Sequence, residues 1–386
     1  MKLWTHDFIR VYMSNLLLYT SLYMLLPVLP MYLVDRFGIT LSEAGGISAL
    51  FAIGLFISGP FYSYLIDSFR RKTICLLAYL AVIAILLGYT VIGSLIWVAI
   101  LRIMQGSLFG IATTMGSTLA IDITDTSRRS EANTGFCWAS KLGMVFGAMI
   151  GILIYRFAGL QEVLYASVGA GTFGLGFISL IHVAFRAPIG ASLFSLDRFF
   201  LPRGWIPALN LILISSVFGL LLSSINMYTE TIHMQKITVH FFSLLAGGFI
   251  LAMIANRFIF EKADLRAKVV SGLLLMSAAL LLISTHEQYL ALITAAVLMG
   301  LGLGLVSSDF LHIFIKLCEH CQRGTANTTY RFAWEVGIAL GVVSGCLIID
   351  LFSYISVFHI GLLVVVLSLL FYLFITVPYF KKHKTR

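Results

Sequence analysis

The sequence predicts an all-α polytopic membrane protein with twelve transmembrane helices, and three observations support this class: composition, the length of the apolar runs and an internal repeat. Hydrophobic residues make up 60% of the 386 positions and charged residues only 11%, whereas a soluble domain carries roughly 25% charged residues. So little charge cannot cover the surface of a soluble fold. An ordinary cytosolic enzyme, a disordered chain and a secreted disulfide scaffold are therefore excluded.

Twelve apolar stretches reach the length of about 20 residues that a helix needs to cross the hydrocarbon core of a bilayer. They are too long for barrel strands and do not alternate, which leaves a helical bundle as the spanning architecture. In chain order, spans 1 to 12 are predicted at 8–34, 43–66, 73–92, 95–121, 133–155, 162–185, 206–229, 237–260, 268–285, 288–316, 328–349 and 355–377.

Basic residues are concentrated on one side of this arrangement when the N-terminus is placed in the cytoplasm. The external loops then hold only Arg36, Arg156 and Lys236, and the spans hold Arg102, Lys141 and Arg331. The other 20 of the 26 basic residues lie in cytoplasmic segments, as the positive-inside rule requires. The net charge of +9 therefore reports orientation, with both termini cytoplasmic, and nucleic acid is not an expected partner.

Two segments half a chain apart resemble each other. Residues 129–151 and 323–345 share an arginine, an Ala-Asn-Thr triplet and three glycines at an offset of 194 residues. Because the offset equals six spans, it predicts a parallel repeat of two six-helix bundles, a design common in transporters. The predicted domains are 1–185 and 206–386, joined by a cytoplasmic interfacial linker over 186–205.

Three local patterns are similar to known family motifs. At the end of span 2, Gly59 is followed eight residues later by Asp67 and then by the basic cluster 70–72. In span 4, Arg102 is followed by Gln105 and a glycine. Span 5 carries a glycine at every fourth position, at 143, 147 and 151, a spacing that is also the ordinary signature of close helix packing.

These patterns resemble the loop 2–3 signature, the helix 4 motif and the helix 5 motif of the major facilitator superfamily. The chain is most similar to the 12-helix drug–proton antiporter branch. It departs from the first motif at Ser68 and Arg70, where Arg and Gly are usual, and the proline of the third motif is missing. The resemblance implies a secondary transporter that works by alternating access and is not an enzyme.

The resemblance also implies a cytoplasmic gate, in which the motif aspartate docks onto the start of helix 11. Here the gate residues are Gly59, Asp67 and Asn327, together with an expected ion pair between Arg71 and Asp122. The alternative is that the cations mark the cytoplasmic side and the aspartate caps a helix. Topology alone explains the cations, whereas the spacing from glycine to aspartate favours the gate.

Five charged residues are assigned to the membrane interior rather than to the ends of spans, and a charge at a helix centre costs about 2.5–3.5 kcal/mol. Lys141 and Glu335 are related by the 194-residue offset, and each lies eight residues beyond the asparagine that opens its span. That spacing corresponds to about 12 Å of helix. Opposite charges at matched positions would neutralise two walls of a cavity, and structural ion pairing is the alternative. The remaining three are Arg102, Asp309 and Arg331.

Proton coupling requires a group that titrates near neutral pH, and burial moves a carboxyl group toward that range. Glu335 and Asp309 are the candidates for carrying the proton. Arg102 is expected to poise a nearby acid or to bind an anionic group, and hydrogen bonding to backbone carbonyls is its alternative role.

The expected substrate cavity combines polar and aromatic side chains from spans that line the cavity in this family. Asn15 and Tyr19 share one face of span 1, and His312 lies one turn from Asp309. Ordinary helix packing is the alternative for the aromatic members. The full set is Asn15, Tyr19, Gln105, Lys141, His312 and Arg331.

The function that these features favour is proton-coupled export of small amphipathic or drug-like molecules across the inner membrane. Uptake or exchange of a sugar, an organic acid or a lipid-like metabolite is the alternative. An integral-membrane enzyme is a remote one, because the nine histidines are scattered. The expected partners of a monomeric protein are its small-molecule substrate, protons and the lipid bilayer, and no metal ion or organic cofactor is expected.

Overall fold

A computed structural model describes residues 3–91, 93–183, 190, 192–260, 263–319 and 322–384. Within these ranges the chain is helical and contains no strand, which confirms the all-α class. The helices are α1 (His6–Leu25), α2 (Leu29–Phe37), α3 (Leu41–Ser58), α4 (Tyr62–Ser68), α5 (Arg71–Gly88), α6 (Leu95–Asp122), α7 (Arg129–Ala158), α8 (Leu160–Ser179), α9 (Trp205–Thr231), α10 (Ile237–Phe258), α11 (Leu265–Thr285), α12 (Tyr289–Leu317), α13 (Arg323–Leu351), α14 (Tyr354–Phe371) and α15 (Val377–His383).

Eleven helical segments of the described chain are long and apolar enough to cross a membrane. The predicted span that is not among them is span 6, which corresponds to α8. This helix has 20 residues, so its length is sufficient, but its first turn contains Gln161 and Glu162 and the helix is rich in glycine. The structure therefore supports a multi-pass membrane protein with eleven or twelve spans.

Three of the predicted spans contain irregular turns that lie at or next to a proline. Span 1 is divided between α1 and α2 by Pro27, and span 2 passes through a 3₁₀ turn at Gly59–Phe61, which contains Pro60. Span 12 contains a π turn at Tyr372–Thr376, just before Pro378. A proline lacks the backbone donor and clashes with the carbonyl one turn earlier, so the helix must kink or change its pitch at these points.

The helix of span 6 ends earlier than the sequence predicts. The prediction runs to residue 185, whereas α8 ends at Ser179, and residues 184–185 lie outside the described chain. Two cations take up the carbonyl groups at this end. Lys72 Nζ donates to Ser179 O at 2.7 Å and Ile181 O at 2.8 Å, and Arg10 Nη1 donates to Leu180 O at 2.9 Å. These bonds satisfy carbonyls that a continuing helix would otherwise bond.

The internal repeat extends well beyond the two segments that revealed it. Four helices of the first half and four of the second begin at positions related by the same 194-residue offset. The pairs are α5 and α11 (Arg71, Leu265), α6 and α12 (Leu95, Tyr289), α7 and α13 (Arg129, Arg323), and α8 and α14 (Leu160, Tyr354). The shared orientation of the two halves and their arrangement as two bundles stay predictions.

The chain divides into two compact units. The first unit consists of Met1–Leu26 and Ala49–Leu201, and the second of Pro27–Ser48 and Pro202–Arg386. Residues 27–48 group with the second unit because Ser42 N donates to Asp350 Oδ2 at 2.6 Å and Gly45 lies against Cys346. Of the predicted linker, residues 186–189 and 191 lie outside the described chain. The predicted domain boundaries at 185 and 206 stay a prediction.

Glycines at every fourth position bring two helix pairs into close contact. On α7, Gly147 lies against the backbone of Thr20 in α1, and on α13, Gly341 lies against the backbone of Ser216 in α9. A side chain at either position would collide with backbone atoms. The glycine spacing of span 5 therefore serves helix packing.

Candidate functional site

The loop between α4 and α5 carries an ion pair that links it to the end of α6. Arg71 Nη1 lies 2.6 Å from Asp122 Oδ2, and its Nη2 lies 3.6 Å from Asp67 Oδ1. The predicted pair of Arg71 and Asp122 is thus present. Asp122 is the last residue of α6, where the negative end of the helix dipole disfavours a carboxylate. A cation is needed there, and Arg71 supplies it to two carboxylates at once.

Asp67 has a second arginine partner that sequence reasoning missed. Arg198 Nη2 lies 3.2 Å from Asp67 Oδ1 and 3.4 Å from Oδ2, although the two residues are 131 positions apart. Arg198 lies in the predicted linker, where its charge was assigned to the interface. Asn327 lies buried in the first turns of α13, in the second unit. The docking of Asp67 at that helix stays a prediction.

Arg102 lies in a buried polar cluster of the first unit. Its side chain is 1% exposed, and Nη1 donates to Gln105 Oε1 at 3.0 Å. Tyr89 donates its hydroxyl to the same oxygen at 3.2 Å. The guanidinium carbon lies 5.8 Å from the centre of the Phe51 ring, within the range of a cation–π contact. Arg102, Gln105 and Tyr89 thus form a single hydrogen-bonded group. The sequence did not predict that Tyr89 belongs to it.

The side chain of Asn15 joins α1 to α7 by hydrogen bonds. Its Nδ2 donates to Phe136 O and to Ser140 Oγ on α7, both at 2.8 Å. Its Oδ1 is buried and has no hydrogen-bond partner within the described chain. Tyr19 is fully buried and packs edge-on against Phe109 with ring centres 4.9 Å apart. The Asn15 oxygen therefore keeps a free hydrogen-bonding position for a ligand or water.

Asp309 belongs to a three-residue polar cluster in the second unit. Lys268 Nζ lies 3.1 Å from Asp309 Oδ1 and donates to Asn256 Oδ1 at 2.9 Å. Asn256 Nδ2 donates to Asp309 Oδ1 at 3.4 Å. From the sequence, Lys268 is one of the 20 basic residues expected in cytoplasmic segments. It lies four residues into α11, and its long side chain reaches the buried carboxylate from there.

His312 does not take part in this cluster. Its side chain is exposed, and the hydrogen bonds of Asp309 within the described chain go to Lys268 and Asn256. The histidine lies one turn from Asp309, as the sequence requires, but it is not its partner. It is therefore available to a ligand or to lipid.

Lys141 and Glu335 occupy matched positions in α7 and α13, and each side chain is 3% exposed. The two helices begin four and five residues earlier than predicted, at Arg129 and Arg323 respectively. Each charge therefore lies twelve residues, or about 18 Å, from its helix start, near the middle of helices of 30 and 29 residues. Arg331 lies one turn before Glu335 and is half-buried. Each unit thus holds a buried charge near the middle of a long helix.

The fold and these sites define a class: a polytopic helical protein with an internal repeat, an ion-paired loop motif and buried charges at mid-helix. A family model named Major Facilitator Superfamily matches residues 11–308 and 234–386. The chain belongs to this family and is a membrane transporter.

Two further comparisons agree with this family. The chain is 30% identical over 126 residues to the uncharacterized MFS-type transporter YtbD of Bacillus subtilis (strain 168). That match covers 31% of each protein, so the chain matches less than a third of the length of this relative. The crystal structure of the human organic anion transporter MFSD10 (TETRAN) is similar, with a TM-score of 0.69 and 18% identity. It covers 95% of this chain and 98% of that one, which shows the shared fold.

Proposed function

We propose that this protein exports small amphipathic or drug-like molecules across the inner membrane in exchange for protons, by alternating access. The observation that carries the proposal is the matched placement of Lys141 and Glu335. A transporter with a parallel repeat works by rigid halves that move about a site at the midplane, and these two residues lie at mid-helix in corresponding helices of the two halves. Both side chains are buried. Because a charge inside a span makes membrane insertion less favourable, such residues usually serve a function.

Glu335 is the preferred proton carrier. Asp309 is the other buried acid, but Lys268 and Asn256 hold its Oδ1 oxygen within hydrogen-bonding range. A carboxylate neutralised by a lysine of its own unit has a structural reason for its burial. Glu335 is in contrast placed at the depth where a midplane site is expected. Arg102, Gln105 and the Oδ1 oxygen of Asn15 supply further polar groups to the proposed cavity, with Tyr19, Lys141, His312 and Arg331.

The test is substrate-driven proton flux in proteoliposomes that contain a pH-sensitive dye. A panel of amphipathic drugs, organic anions and sugars first identifies a transported compound. Glu335→Gln is then expected to abolish proton movement, whereas Asp309→Asn is expected to retain it. Glu162→Gln, which removes an exposed acid at the start of α8, is the control. Proton flux at the wild-type rate in Glu335→Gln would exclude this residue as the carrier.

A second candidate function is transport of organic anions, and the three cations within spans favour it. Arg102 and Lys141 are buried and Arg331 is half-buried, a surplus of positive charge that suits an anionic substrate. The structurally similar MFSD10 is named as an organic anion transporter. In a competition panel, an anion carrier would be inhibited by carboxylates and sulfonates rather than by lipophilic cations. Arg102→Gln and Lys141→Gln would then raise KM for the anion selectively.

We also propose that Gly59, Asp67, Arg71, Asp122 and Asn327 form the cytoplasmic gate of this transporter. The support is the position of Arg71, which joins the acid that ends α6 to the acid of the loop. Opening on the cytoplasmic side would require these polar contacts to rearrange. We further propose that the transporter is a monomer with both termini in the cytoplasm.

A further inference from the structure

Residues 192–201 form part of the connection between α8 and α9, and they are called the linker segment below. A backbone bond attaches the segment to the end of span 2, since Ser195 N donates to Pro60 O at 3.0 Å. Within the segment, the backbone amides of Phe199 and Phe200 both donate to Leu196 O at 3.0 Å. This turn directs two consecutive side chains, those of Arg198 and Phe199, toward the loop motif.

The apolar part of the contact is built around Gly59. The Phe199 ring lies so close to this glycine that a side chain at position 59 would collide with it. Phe199 is 4% exposed, and its ring lies 6.0 Å from those of Phe56 and Tyr62. The glycine of the loop motif therefore has a definite structural use here: it makes room for an aromatic residue of the linker segment.

The polar part of the contact is the pair between Arg198 and Asp67. The two side chains are 33% and 19% exposed, and Arg71 approaches the same carboxylate from its own helix at 3.6 Å. Asp67 is thus shared between two guanidinium groups. A carboxylate held in this way has fewer lone pairs free for the backbone amides of another helix start.

We propose that Arg198 is a positioning residue of the cytoplasmic gate: it holds Asp67 on the linker segment and releases it when Asp67 docks onto α13. This proposal rests on the gate role of Asp67 proposed above. The linker segment would then undock from Gly59 and Asp67 in each transport cycle. The two partners of Asp67 compete, so a weaker hold by Arg198 favours docking on α13.

Hydrogen exchange of the full-length protein in nanodiscs tests this competition. Arg198→Gln is expected to raise amide exchange over 192–201 and to lower it over 323–330, the start of α13, each by about two- to fivefold. This range is what a partly exposed ion pair supports. Arg198→Lys should restore most of the wild-type pattern. The control is Arg203→Gln, which removes an equal charge near the linker segment from an exposed pair with Glu319 and should leave both regions unchanged.

A merely structural arginine would alter only the exchange of residues 192–201. Unchanged exchange over 323–330 in Arg198→Gln would therefore overturn the proposal, as would a full effect of Arg198→Gln when Asp67 is already asparagine. Failure of the gate itself has a separate signature, because exchange over 323–330 would then be unaffected by Asp67→Asn alone. As a second route, Phe199→Ala removes the apolar contact without touching a charge and should shift both regions in the same directions as Arg198→Gln.

Discussion

At the scale of the residue, the buried charges of Asp309 and Arg102 have polar side chains as partners. Asp309 is held by Lys268 from α11 and Asn256 from α10. Arg102 shares a glutamine oxygen with Tyr89. Removing one partner from such a pair leaves an uncompensated charge in a low-dielectric interior, whereas removing both leaves none. The free-energy difference between these two cases gives a direct test of the cluster around Asp309.

Lys268→Met is expected to destabilise the protein by about 3–5 kcal/mol, because it leaves the Asp309 carboxylate buried and unpaired. The double variant Lys268→Met/Asp309→Leu is expected to recover most of that loss. Thermal unfolding in detergent measures both. A double variant as unstable as the single one would show that the ion pair is not the source of the effect. Arg266→Met, which removes an exposed cation two residues away on α11, is the control.

Tyr89→Phe is expected to lower stability by about 1 kcal/mol, the net value of one buried hydrogen bond. The loss should disappear when Gln105 is replaced by leucine in the same chain, because the two side chains share that bond. A double-mutant cycle by thermal unfolding measures the coupling. Strict additivity of the two substitutions would contradict the cluster.

At the scale of the element, the repeat determines where helices begin and which of them pack closely. The four matched helix starts follow from local sequence, such as the equivalent arginines that open α7 and α13. The tight crossings of α7 with α1 and of α13 with α9 follow from glycines that expose the backbone. These contacts bury little apolar side chain and depend on shape, as is usual for helices in lipid.

Gly147→Ala is expected to destabilise the protein by about 1–3 kcal/mol, because the new methyl group would meet the backbone of Thr20 and force the helices apart. Gly176→Ala in α8 is the matched control. Nothing lies within 4 Å of a side chain built there, so this substitution should be neutral or stabilise by up to about 1 kcal/mol. Equal effects at the two positions would argue against backbone contact at Gly147.

At the scale of the whole molecule, the proposed gate makes a transport prediction. Asp67→Asn keeps the size of the side chain and removes the charge that Arg71 and Arg198 share. We expect transport to fall at least about tenfold while expression and membrane insertion stay normal, since a gate worth about 1.4 kcal/mol changes a rate by that factor. Transport assays in vesicles measure it, with Asp125→Asn in the loop between α6 and α7 as the control. Full activity of Asp67→Asn would refute the gate.

The orientation of the chain is also a whole-molecule property, and the positive-inside rule predicts it. A cysteine introduced at Glu287, in the turn between α11 and α12, should react with an impermeant maleimide added outside intact cells. One introduced at Lys382, near the C-terminus, should react only after the membrane is opened. The background would carry no native cysteine. The reverse labelling pattern would overturn the orientation and, with it, the cytoplasmic location of the loop motif.

The membrane class, nearly all of the spans and the 194-residue repeat could be predicted from the sequence, because every span must be apolar and must satisfy its own backbone hydrogen bonds. The family and the pair between Arg71 and Asp122 were expected because local motifs resemble those of the family. Prolines lie at the breaks of spans 1 and 2 and just after the π turn of span 12, but the spans were predicted as continuous, and the helix of span 6 ends earlier than its apolar run.

The partners of the buried charges and of the charges in the loop between α4 and α5 depend on tertiary contacts. Arg198 reaches Asp67 across 131 residues and Asn256 reaches Asp309 across 53, and no local pattern distinguishes these partners from other polar residues near helix ends. Lys268 counted as one more cytoplasmic cation until its position on α11 placed it beside Asp309. Charge pairing acts over a few ångströms of space, whereas spacing along the chain records only the neighbours within one helix.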